Sequence, residues 1–183
     1  MHLSDLHFGR IDDRLLQPLT GFVNQLRPDL VAISGDLTQR AKPEQFAQAR
    51  GWLDTLLAPK LVVPGNHDIP LYRVWERFLS PLGNYRKYID DNAEPDFVDG
   101  EVAVIGINSA RSLTFKGGRI NAEQLERLRA RLKPLPASLV KIVVTHHPFT
   151  QPAGADEDDI IGRAPMAMEV FHELGIDLML SGH

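Results

Sequence analysis

The chain has 183 residues, 43% of them hydrophobic and 24% charged, with a formal net charge of −4. That is the balance of one domain, 1–183, large enough to bury a core, and not of a nucleic-acid groove or a membrane surface. The absence of cysteine excludes disulfide and thiolate sites, fits a cytoplasmic protein, and leaves His, Asp, Glu and Asn as the means of holding a metal.

No signal peptide is visible, and no apolar stretch reaches the ~20 residues that span a bilayer. Residues 1–5 read as a first strand, followed by a polar loop over 6–14. Leu16, Leu19, Val23 and Leu26 recur at helical spacing and predict a helix over 14–26, ended by Pro28. Residues 29–34 form the second strand, Pro43 opens a helix with Phe46, Ala49, Leu53 and Leu56 on one face, and 60–64 form the third strand.

Tyr72, Trp75, Phe78 and Leu79 suggest a short helix, Pro81-Leu82-Gly83-Asn84 a turn, and Tyr85 to Ile89 a strand. Phe97-Val98, Asp99-Gly100 and Val102 to Ile107 read as a hairpin with a two-residue turn. Lys116-Gly117-Gly118 is a loop, and Asn121 with Gln124 makes a capping box for a helix bearing Leu125, Leu128 and Leu132. A strand over 139–145 precedes a Pro-, Gly- and acid-rich loop over 148–163 with the run Asp156-Glu157-Asp158-Asp159, expected to be solvated. A helix from Pro165 and a strand over 176–181 close the chain.

Five apolar runs end in metal-type side chains: Asp5 and His7; Gly35-Asp36; Gly65-Asn66-His67-Asp68; His146-His147; and Gly182-His183. Taken singly, a His at a strand end is more often structural, and Asp36 or Asn66 could serve a turn. All five bland explanations holding together is another matter. In an alternating strand–helix fold the loops past the carboxyl ends of the strands share one crevice, so the five motifs are expected to meet. His2 and His172 sit in no motif and are assigned no role; His147 is left open. The rings of Phe8 and Tyr72 are open between stacking on a base and plain packing.

If the stretch stays extended, Asp5 and His7 point to the same side and chelate one ion. Asp36, after a glycine, offers one oxygen to each of two ions, and Asn66, His146 and His183 complete the second ion's shell. Mixed nitrogen and oxygen ligands suit manganese, iron or zinc, and magnesium less well. Two such dications acidify a shared water and neutralise a phosphate, which calls for phosphoester hydrolysis. His67 is left over beside Asn66, free to bind substrate or protonate a leaving alkoxide.

These ordered motifs resemble those of the calcineurin-like metallophosphoesterases. Asp5-Leu6-His7-Phe8-Gly9, Gly35-Asp36-Leu37-Thr38 and Gly118-Arg119-Ile120 before Gln124-Leu125 look most like the class III cyclic-nucleotide phosphodiesterases. The resemblance implies an α/β, four-layer α-β-β-α sandwich of two mixed sheets. It implies two divalent metals, Asp5 and His7 on the first, Asp36 bridging, and Asn66, His146 and His183 on the second. A metal-bridging hydroxide would attack phosphorus in line, with Asn66 and His67 on the substrate and His67 catalytic. The family's last motif is Gly-His-x-His, whereas this sequence stops at His183, so the expectation is a C-terminally truncated domain lacking that histidine and the strands after it. The expected partner is a small phosphodiester; nucleic acid and membrane are not expected, and a homodimer stays open. Against a phosphodiesterase stand a nuclease of the same superfamily, disfavoured by scattered Lys and Arg, and a non-catalytic scaffold, disfavoured by the presence of His67.

Overall fold

Every residue of Val31–Ser34 is buried, as are Leu61, Val62 and Val63, the signature of strands covered on both faces. In the computed structural model, which describes residues 1–113, 117–151 and 160–183, β1 (His2–Leu3), β2 (Val31–Ser34) and β3 (Lys60–Val63) form one sheet in the order β1-β2-β3, all parallel. The second sheet is mixed, with β4 (Asp96–Val98) antiparallel to β5 (Val102–Gly106), and β5, β6 (Val140–Val144) and β7 (Leu178–Leu180) parallel, in the order β4-β5-β6-β7.

Helices α1 (Asp13–Leu26), α2 (Pro43–Leu53), α3 (Val74–Leu79) and α4 (Gly83–Tyr88) lie in the half of the chain that builds the first sheet, and α5 (Ala122–Leu132) and α6 (Ala164–Leu174) in the half that builds the second. Three apolar layers bind the stack. Val23, Phe46, Ala49 and Trp52 pack on Val31, Ile33 and Val62; Ala32, Leu61 and Val63 pack on Val104 and Val144 between the sheets; Ala103, Ile105 and Val143 pack on Leu125, Leu128, Ala167 and Phe171. The result is the mixed α/β, two-sheet arrangement expected. The capping box forms as read, Asn121 accepting the Gln124 N–H and Gln124 accepting the Asn121 N–H.

Three local expectations are corrected. Tyr85 to Ile89 is not a strand: α4 covers it, starting within the Pro81–Asn84 turn signal. The reason is tertiary, because Tyr85 is fully buried and its hydroxyl donates to the Val62 carbonyl at 2.8 Å, a contact made from the helix that packs on α2. The β4–β5 turn is two residues as read but sits one position later, at Gly100-Glu101: Asp99 N–H donates to the Val102 carbonyl at 3.1 Å beyond the Val98–Ala103 pair, and the Asp99 carboxylate accepts the N–H groups of Glu101 and Val102. The first strand is two residues, not five, because Asp5 (φ 55°) and His7 (φ 49°) turn into the left-handed region. Phe8 is buried against Trp52, a core residue, while Tyr72 is exposed. The acidic run 156–159 and Lys116 lie outside the described residues.

Candidate metal centre

Strands β1, β2, β3, β6 and β7 run parallel within their sheets, and the five motifs follow their carboxyl ends. Backbone hydrogen bonds lock the first two motifs in register: Asp5 N–H donates to the Gly35 carbonyl (3.2 Å), His7 N–H to Asp36 (2.9 Å) and Phe8 N–H to Leu37 (2.7 Å). The third motif, a short 3-10 turn over Asn66–Asp68, is fastened to the second by the Asp68 carboxylate. That group accepts the N–H groups of Gly65 (2.9 Å), Leu37 (3.1 Å) and Thr38 (2.9 Å) and the Thr38 hydroxyl (3.0 Å).

Gly65 is needed for close approach: a Cβ there would lie 2.1 Å from Asp36 Oδ1. Asp36 itself sits at φ 52° and His183 at φ 77°, so with Asp5 and His7 four of the six expected ligands occupy the left-handed region without being glycine. Such conformations persist only where surrounding contacts over-determine them, and they cluster at functional sites.

The expected residues converge. Asp36, 2% exposed, directs Oδ1 to His146 Nε2 at 3.3 Å and Oδ2 to His7 Nε2 at 3.7 Å; Asp5 Oδ1 lies 3.8 Å from the same His7 nitrogen. His146 Nε2 also meets Asn66 Oδ1 at 2.9 Å and His183 Nδ1 at 3.3 Å. His183 N–H donates to Asp5 Oδ2 at 3.1 Å, closing the ring of motifs. Asp5 and His7 therefore come together through left-handed turns and not, as the sequence suggested, through an extended stretch.

The donor set fits divalent cations. His146 Nδ1 meets the Ser34 carbonyl at 2.8 Å and must donate its proton there, leaving Nε2 as a lone pair facing Asp36 and Asn66 oxygens that are themselves acceptors. A ring nitrogen pinned by a backbone carbonyl is the usual support of a metal-binding imidazole. Ligand atoms ~2.0–2.2 Å from one ion stand roughly 3–3.5 Å apart, close to the spacings here. His7 Nδ1 is buried without a hydrogen-bond partner among the described residues, while its Nε2 faces the Asp5 and Asp36 carboxylates.

Electrostatics agree. Burial works to raise the Asp36 carboxyl, but His146 and the His67 N–H hold it below the ordinary carboxylate range. Burial works to lower His146, but Asp36 outweighs it and the imidazole is raised. A proton there stands where a cation would.

His67 is placed apart from the His146 group. Its N–H donates to Asp36 Oδ1 (2.9 Å), its ring packs edge-on against His7 with centroids 4.9 Å apart, and its Nδ1 meets the Gln39 carbonyl at 2.9 Å. The nearer carbonyl favours a proton on Nδ1, with the Gln39 side-chain amide nitrogen at 3.4 Å from the same atom. A cavity of about 510 Å³ lined by Asp5, His7, His67, Gln39 and Arg10 opens on this side.

Sequence reading gave no role to Gln39, Arg10, Asp68 or Ser109. Asp68 was visible only as the end of its motif. Ser109 holds buried His147 through Nδ1 (2.8 Å), and His147 joins His146 and His183 in a cluster whose ring nitrogens lie within 4.8 Å of one another. His2 Nε2 meets Ser34 Oγ at 2.8 Å, outside the ligand cluster. Among the described residues no helix is long and apolar enough to cross a membrane.

Residues 1–183 match the family model described as calcineurin-like phosphoesterase. A protein named "probable cyclic nucleotide phosphodiesterase" from Synechococcus sp. is 30% identical over 166 residues, covering 89% of this chain and 60% of that protein. The glycerophosphodiester phosphodiesterase GpdQ of Enterobacter lignolyticus is 37% identical over 120 residues, covering 56% of this chain and 43% of that protein. The chain thus spans about half the length of the curated relatives it matches. Among solved structures, a purple acid phosphatase from yellow lupin superposes with a TM-score of 0.75 at 14% identity, covering 100% of this chain and 37% of that one, a likeness of fold.

Proposed function

The chain belongs to the calcineurin-like phosphoesterase family, and from that premise we propose that it is a metal-dependent hydrolase of small phosphodiesters, cyclic nucleotides among them. The observation that carries the reading is His146: with Nδ1 given to Ser34, its Nε2 lies against the Asn66 and Asp36 oxygens, both acceptors, and beside a ring nitrogen of His183, an arrangement suited to a cation. Asp5 and His7 would hold one ion, Asn66, His146 and His183 the other, and Asp36 would serve both through its two oxygens. Two divalent ions, manganese, iron or zinc in preference to magnesium, would supply charge neutralisation for the phosphoryl group and acidify water.

The chain's own contribution is positional and acid–base. His67 lines the cavity with Nδ1 engaged by Gln39, and its protonated ring would give its proton to the departing oxygen. Asn66, adjacent in the same turn, orients the phosphoryl oxygens. The relatives named for cyclic nucleotides support that substrate class, and the lack of cysteine supports a cytoplasmic location.

The test is turnover of cyclic AMP, of bis(p-nitrophenyl) phosphate and of single-stranded DNA with manganese. Hydrolysis of both small diesters, abolished in Asp36→Ala, is expected. Faster turnover of DNA than of cyclic AMP would assign a nuclease instead, and no manganese-dependent hydrolysis of any of the three would overturn the reading.

A further inference from the structure

We propose that Arg10 is a substrate-binding residue whose guanidinium holds the non-bridging oxygens of the phosphodiester, on the side of the cavity lined by His7 and His67. The proposal rests on the hydrolase reading above and adds a residue that no motif contains. Arg10 lines the same cavity as Asp5, His7 and His67. It is exposed, and among the described residues it has no ion-pair partner.

Its backbone is tightly held. Arg10 N–H donates to the His7 carbonyl at 2.9 Å, and the two residues before it are fixed in turn. Phe8 exchanges backbone bonds with the second motif, donating to Leu37 (2.7 Å) and accepting from Gln39 (3.0 Å). Gly9 (φ 97°) lies against the Gln45 side chain, where a Cβ would be 2.1 Å from its amide nitrogen. A cation three residues from an expected metal ligand, on a backbone held by these bonds, stands within reach of an anion in that cavity.

A guanidinium offers two parallel N–H donors in the fork that matches two oxygens on phosphorus, and charge-assisted bonds of this kind are among the stronger ones. The other residues of the cavity wall differ in kind. Asp5 and His7 would hold an ion, His67 would serve the leaving oxygen, and Gln39 gives its carbonyl to His67. Arg10 is the guanidinium of this wall, and among the described residues no carboxylate pairs with it.

The experiment compares the unmodified protein with Arg10→Ala and Arg10→Lys, all loaded with manganese. It measures KM and kcat on bis(p-nitrophenyl) phosphate, the affinity for inorganic phosphate by calorimetry, manganese content and melting temperature. In Arg10→Ala, KM and the dissociation constant for phosphate are expected to rise about tenfold or more, with manganese content and melting temperature unchanged. Arg10→Lys, which keeps the charge but not the fork, is expected to recover part of the loss. Unchanged KM and phosphate affinity in Arg10→Ala would overturn the proposal, as would a loss of manganese or of melting temperature, which would make Arg10 structural. If no variant turns over any diester, the hydrolase reading fails, while the phosphate affinities still decide the role of Arg10.

Discussion

Asp68 and Thr38 are joined twice: one carboxylate oxygen accepts both the Thr38 N–H at 2.9 Å and the Thr38 hydroxyl at 3.0 Å. The other oxygen takes the N–H groups of Leu37 and Gly65. One side chain thus clamps the turn bearing Asp36 to the turn bearing Asn66 and His67. Asp68→Ala would leave three backbone donors buried without an acceptor, at about 1–3 kcal/mol each. Urea denaturation should show a loss of roughly 3–5 kcal/mol, with manganese affinity falling alongside; a loss under 1 kcal/mol would deny the clamp.

The same carboxyl makes the ion-free protein sensitive to pH. Burial, and then the charge of Asp36, push Asp68 up to about 6 from 3.8. A carboxyl raised by folding binds its proton more tightly in the native state. Its contribution to stability is therefore full below pH 3.8 and is lost as pH rises through about 6. That decline amounts to roughly 3 kcal/mol at most. Denaturation of the ion-free protein between pH 4 and 7 should show it, Asp68→Asn should flatten it, and manganese, by countering the charge of Asp36, should shrink it.

Cation binding should stabilise the fold by mass action. At a hundredfold excess over its dissociation constant manganese adds about 2.7 kcal/mol, read as a rise in melting temperature. Asp36→Ala and His146→Ala should abolish the rise. Because His146 is raised by Asp36, a proton competes for the same lone pair, and manganese affinity should weaken as pH falls. Affinity that strengthens on acidification would contradict the assignment.

His67→Ala should lower kcat by about 10²–10⁴ if the ring protonates the leaving oxygen, with manganese content intact. The loss should be smaller for a p-nitrophenolate leaving group, which needs no proton, than for the alkoxide of a cyclic nucleotide. Equal losses on both would reassign His67 to phosphoryl binding alone.

Much of this was legible in the chain. Apolar runs at 29–34, 60–64 and 139–145 announced strands by being apolar on both faces, and Asn121 with Gln124 announced a helix start, because these signals are local. Tyr85 misled for the opposite reason. Its β-favouring ring is placed by a hydrogen bond to Val62, 23 residues away, which outweighs a propensity of a few tenths of a kcal/mol. The clamp at Asp68 was likewise hidden, since its partners Leu37 and Thr38 lie 31 and 30 residues earlier.

By itself the sequence determined the architecture and the chemical kinds of ligand: strand and helix periods follow from neighbours a few positions apart, and donor types are written in the residues. Only the tertiary structure decided how the ligands aim. Asp5, His7, Asp36 and His183 take left-handed backbone angles that no local signal foretold, and they keep them because bonds such as His146 to Ser34 and His183 to Asp5, across 112 and 178 positions, supply the energy that a solitary turn lacks.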